Sequence, residues 1–216
     1  MKKESGRPGR SHRASRPVTS GVRARRADTA GGTPALRIAL DKYGLLLLQD
    51  KELPSAVGII TGEEVSGSWW SHPRANEIFR KLQALDDALA VKLIAGKVAY
   101  VDERLQPAVA AVGRGREPWQ MRGLSPAAKK LLARVDREGS VRASGAASKE
   151  LQLRLLVNAR EEHTESGKHE TVLAPWPPSK LTAEEGRHQL EVAAQAIGAE
   201  LHDLPWNRFG VPTRKS

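Results

Sequence analysis

The stretch "HPRANEIFRKLQAL", residues 72–85, brings Arg74, Asn76, Arg80 and Lys81 close together along the chain. Guanidinium and ammonium groups bind phosphate oxygens, whereas an amide or guanidinium near a helix N-terminus reaches base edges through paired hydrogen bonds. At helical spacing Ala75, Ile78, Phe79, Leu82 and Leu85 fall on one face, leaving Arg74, Asn76, Glu77, Arg80, Lys81 and Gln83 opposite. Lys92 and Lys97 follow in "VKLIAGKVAYV", and Arg23, Arg25 and Arg26 precede in a basic run. These residue types suit a surface that meets a polyanion. With Glu77 as counter-charge, the same face also reads as an ordinary solvated helix surface.

Trp69 and Trp70 stand just before this segment. Both are candidates for stacking, since an aromatic ring on an unpaired base is worth roughly 1–3 kcal/mol. Burying an indole is worth several kcal/mol by area, so a structural plug is the competing use. Neighbouring side chains point in different directions, and the expectation is one buried ring with the other near the surface.

Other chemistry finds less support. His163, Glu165 and His169 lie within one expected hairpin, but a metal site needs three or four ligands at fixed geometry, and no metal or other cofactor is assigned. The chain has no cysteine, which excludes disulfides and thiol nucleophiles. It contains no GxxxxGK[ST], HExxH or GxSxG pattern, and no catalytic residue is assigned.

The net charge of +10 sits at the ends. Residues 1–32 hold nine Lys or Arg and two acids, and residues 207–216 add three cations with no acid, so the span between is close to neutral. Cationic tails attract nucleic acid or an anionic surface without shape, and salt screens that attraction. Residues 1–32, rich in Arg, Ser, Gly and Pro, cannot bury enough apolar surface to fold alone and read as a disordered basic tail. No apolar run is long enough to cross a membrane. The basic start lacks an apolar segment behind it, so no secretory signal is read and a cytoplasmic location is expected.

Hydrophobic residues make up 39% of the chain and aromatics 4%, which suits Leu- and Ala-rich helices with short strands. Helices are predicted over residues 34–50, 54–61 and 71–85. A hairpin turning at Ala95-Gly96 comes next, with Val91 opposite Tyr100 and Leu93 opposite Val98. Ser125-Pro126 opens a helix that Gly139 stops. A helix over 146–157 precedes a hairpin at Ser166-Gly167, in which His163 faces Glu170. Thr182 and Glu185 form a capping box for a C-terminal helix that packs back or pairs with a second copy. Pro118-Trp119, Pro175-Trp176 and Pro205-Trp206 read as plugs that pin linkers onto neighbouring units.

The helix, helix, helix, hairpin order of residues 34–101 resembles a winged-helix domain. The resemblance gives "SHPRANEIFRKLQAL" the place of the helix presented to the DNA major groove and "VKLIAGKVAYV" the place of the wing. It implies a mainly α fold with small β-hairpins, in two winged-helix-like units. Their bounds are 33–115 and 116–178, the second degenerate for want of a helix, and 179–206 adds the C-terminal helix. The function implied is non-catalytic binding of duplex DNA, regulatory or chromosome-associated. The alternatives are a protein-interaction module, marked by an exposed apolar face around Trp119 or Trp176, and a repair glycosylase. Tandem winged helices occur among DNA glycosylases, but their glutamine-rich motif is not found here.

Overall fold

Leu36 and Leu40 stand one turn apart and fully buried on α1 (Thr33–Tyr43), the first element of a computed structural model that describes residues 33–163 and 169–210. The helix does not run on to residue 50. Gly44 takes a left-handed φ of 74°, and Leu45–Leu47 forms β1. The four-leucine run lacks strand alternation because its sheet is covered on both faces: Leu45 and Leu47 enter a central core, whereas Leu46 enters a core shared with α1. An apolar run of that kind cannot be told from a buried helix by period.

Next come α2 (Ala56–Thr61), α3 (Ala75–Gln83), β2 (Leu89–Ile94) and β3 (Lys97–Val101). Helix α3 starts later than expected, because residues 69–71 make a separate 3-10 turn. The sheet is antiparallel in the order β1-β3-β2. Ala95 and Gly96 both have positive φ, 51° and 74°, the pair that a tight hairpin turn requires. The register differs from the expected one: Val91 faces Ala99 and Lys92 faces Val98, with an irregularity between Lys92 and Ile94. An extra residue on one strand switches the faces beyond it. Leu93 and Ile94 therefore both join the central core, and Tyr100 turns toward the helices.

The chain continues through α4 (Gln106–Arg114), α5 (Pro118–Met121), α6 (Pro126–Glu138), β4 (Val141–Arg142), α7 (Gly145–Leu153), β5 (Asn158–His163) and β6 (His169–Ala174). Ser125 Oγ caps α6 by accepting the Ala128 N–H, and Ala128, Leu131, Leu132 and Val135 form its buried stripe. Helix α7 stops short of the expected residue 157, since Leu155 takes a φ of 52°. Leu155 and Leu156 are still buried, from a turn instead of a helix. The second sheet is ordered β4-β6-β5, with His163 opposite His169 and Glu162 opposite Glu170, one residue away from the expected register. The two histidines are thus cross-strand partners. Glu165 and the expected turn at Ser166-Gly167 lie outside the described residues.

Helix α4 is a central strut, with residues 108–113 all buried. Helix α8 (Ala183–Ala196), opened by the Thr182–Glu185 capping box, packs along it. Small residues allow the close approach, for a Cβ on Gly186 would come within 2.6 Å of the Ala108 carbonyl oxygen. A last short helix, α9 (Pro205–Arg208), closes the fold.

All three Pro-Trp indoles enter the central core, which joins the first sheet to α4 and α8. Trp176 donates to the Leu155 carbonyl at 2.7 Å, Trp119 to Glu117 at 2.8 Å and Trp206 to Glu191 at 2.8 Å. Trp119 and Trp206 meet edge to face, 6.2 Å between centroids. Each ring contributes roughly 4–6 kcal/mol by area. The described residues are therefore mainly α with two small three-stranded antiparallel sheets. Among the described residues no helix is long and apolar enough to cross a membrane.

Candidate nucleic-acid interface

Helix α2 supplies the base of the site. Ser55 Oγ accepts the Gly58 N–H at its start, and Gly62, with a φ of 75°, ends it. The following loop is held by Gln49, whose amide donates to Val65 O (2.9 Å) and Gly67 O (2.7 Å) and accepts the Trp69 N–H at 3.3 Å. This fastening sets where the tryptophans stand. Trp69 is 8% exposed, in the core formed by α1, α2 and α3, whereas Trp70 is 59% exposed. The two rings stack 3.9 Å apart, and Phe79 of α3 lies 5.5 Å from Trp70.

Arg74, read from the sequence as a base-contacting residue, is engaged inside the protein. Its guanidinium donates to the carbonyls of Ile60 (2.9 Å) and Thr61 (3.0 Å), which closes the C-terminal end of α2. The same group grips Glu77 through two bonds of 2.8 and 3.0 Å, and Lys81 meets Glu77 at 2.5 Å. Hydrogen bonds from Arg74 and then Lys81 hold the Glu77 carboxyl down at about 2. Below Arg74, His72 Nδ1 accepts the Arg74 N–H at 3.1 Å while Nε2 faces Glu63 at 2.9 Å. A ring that accepts at Nδ1 carries its proton on Nε2, so Glu63 receives a hydrogen bond.

What remains open on α3 is Asn76, Arg80 and Gln83, all exposed at i, i+4 and i+7. None forms an ion pair among the described residues. Asn and Gln pair with adenine and Arg with guanine in the major groove. Gln83 lies on the outer face by helical spacing but carries no charge to mark it as a phosphate contact. Its spacing from Asn76 was the available signal.

The hairpin is not free in the way a wing would be. The Ala95 N–H donates to Asp203 O at 2.9 Å, and a Cβ on Gly96 would stand 2.9 Å from Leu153 of α7. Lys97 is paired at 2.5 Å to Asp50, whose side chain is largely covered, so its ammonium is engaged. Burial raises the Asp50 pKa, but Lys97 and the N–H groups of Leu53 and Glu52 outweigh it and leave the group below its ordinary value. Lys92 is half-buried beside a cleft of about 670 Å³ between the free edges of β2 and β5. Arg23, Arg25 and Arg26 lie outside the described residues.

In the second unit Arg154 donates to the carbonyls of Trp119 (2.7 Å) and Gln120 (3.3 Å), and Gln152 bonds to Ser148. Arg142 is bracketed by Glu162 and Glu170. Lys149 of α7 is exposed and forms no ion pair among the described residues. Trp119 and Trp176 are buried, while Met121 near them is exposed. Among the described residues no group of three or more His, Cys, Asp or Glu is placed to hold a metal. Comparison with protein-family models, curated proteins and solved structures finds no match for this chain.

Proposed function

We propose that this protein is a non-catalytic DNA-binding protein, regulatory or chromosome-associated and cytoplasmic, that meets duplex DNA with the outer face of α3. The observation that carries this reading is the Asn76, Arg80, Gln83 stripe, left open where the neighbouring cations are already paired. The helix, helix, helix, hairpin order that resembles a winged-helix domain supports this reading, with a short strand, β1, between the first two helices and paired to the hairpin. In helix-turn-helix docking the second helix of the pair enters the major groove, and α3 follows α2 in that role. The basic tails supply salt-dependent capture, and the stripe supplies register. The hairpin acts as a brace, since its tip is docked on α7 and on the segment before α9.

The test is duplex binding by the full chain and by an N76A/R80A/Q83A variant at several salt concentrations. The variant is expected to bind more weakly, to lose sequence preference, and to show a salt slope shallower by about one unit from Arg80. Unchanged affinity and preference would mean that the tails do the binding and that α3 is not the interface.

A further inference from the structure

Resting on that reading, we infer that Trp70 stacks on an unpaired base at the edge of the α3 interface, so that the preferred ligand is DNA in which a base has left the helix. Trp69 closes the core at 8% exposed, whereas the ring of Trp70 is 59% exposed. The ring is nonetheless held firmly, stacked at 3.9 Å and 25° on Trp69, whose backbone N–H is fixed by Gln49. Its other aromatic neighbour is Phe79. On α3, Phe79 lies three residues after Asn76 and four before Gln83, which makes it a surface neighbour of both.

A base resting on Trp70 would therefore sit beside the amides and the Arg80 guanidinium that face the duplex. Every base offers a π-face, so such a platform selects for an unpaired base without choosing its identity. The surroundings favour a base over an apolar protein surface. Ser68 and Ser71 flank the ring in sequence, Asn76, Arg80 and Gln83 line the adjoining helix, and all five are exposed. The other large apolar side chains exposed among the described residues, Ile38, Met121 and Val192, belong to α1, α5 and α8.

The experiment measures binding of the full chain to a blunt duplex, to the same duplex with one unpaired thymine, and to thymine single strand, for wild type, Trp70→Ala and Trp70→Phe. Wild type is expected to prefer the bulged duplex by about 5- to 100-fold, with tryptophan quenching. Trp70→Ala should abolish the preference and the quenching, with only a small loss of melting temperature from the Trp69 and Phe79 contacts and a far smaller effect on blunt-duplex affinity, and Trp70→Phe should restore part of the preference. A preference that survives Trp70→Ala, or a variant that loses blunt and bulged binding equally, overturns the inference. A large drop in melting temperature assigns Trp70 to packing and overturns it too. If N76A/R80A/Q83A weakens duplex binding while Trp70→Ala changes nothing, the α3 interface stands and the stacking falls. If wild type ignores duplex but holds the single strand through Trp70, the stacking stands and the duplex reading falls.

Discussion

Between its first strand and its hairpin the N-terminal unit carries two helices, α2 and α3, whereas the second unit carries α7 alone, although both sheets share one strand order. With α2 beneath it, α3 buries Ile78 and Leu82 inward and keeps Asn76, Arg80 and Gln83 outside. Helix α7 is backed by α6, with Leu151 in one core with Leu132 and Val135, and it also reaches the first unit, where Leu153 meets the turn at Gly96. The same strand order thus carries a helix with an exposed polar stripe in one place and a helix that touches the other unit in the second. In the first unit Arg80 is exposed without an ion pair among the described residues, and in the second Arg142 lies between Glu162 and Glu170 while Arg122 and Arg160 are exposed.

The comparison can be broken most directly at the joint between the units. Trp176→Ala should destabilise the chain by roughly 3–5 kcal/mol in denaturant unfolding, from the cavity and the lost bond to Leu155. Gly113→Ala should act alike, since its Cβ would overlap the Trp176 indole and come within 2.8 Å of the Leu155 carbonyl oxygen. A loss under 1 kcal/mol for both would show that the second unit does not brace the first.

Lys97→Ala should cost roughly 1 kcal/mol at neutral pH, because Asp50 keeps two backbone donors after losing its ammonium. Asp50 and Glu117 are held below their ordinary values, so the stability they confer is full above the unfolded carboxylate range near 4 and is lost as pH falls through their lower folded values. For Glu117, burial pushes upward, and Arg187 and Trp119 more than compensate. Acid unfolding followed by circular dichroism should show the Lys97→Ala penalty shrinking as the medium is taken below that range.

Glu77→Gln should raise duplex affinity a few-fold, most at low salt, by releasing Lys81 while the carbonyls of Ile60 and Thr61 still hold Arg74. Since Glu77 titrates at about 2, lowering the pH from 7 to 4 should not mimic the substitution. Lys149→Ala, on the exposed side of α7, should change affinity less than two-fold. A larger loss would give the second unit a DNA face of its own and erase the contrast.

Much of the local structure was legible because its causes are local. Ser125 with Pro126, Thr182 with Glu185 and the left-handed pair at Ala95-Gly96 act within a few residues, and each stands where those rules put it. The Pro-Trp pairs also declared themselves, because a large apolar ring in an aromatic-poor chain has few places to go. The leucine run at 45–47 misled because alternation vanishes when both faces of a sheet are covered, and the hairpin register misled because a bulge leaves no mark in composition.

From the sequence alone came the stock of cations, the amphipathic face of residues 75–85 and the basic ends of the chain. Which cations stay open was decided by the tertiary structure. Arg74 meets carbonyls at 60 and 61, Lys97 meets Asp50, and Trp70 is left outside because Trp69 fills the pocket behind it. A helical period sorts side chains into inner and outer faces. It carries no information on which partner, many residues away, will arrive to neutralise an outer one.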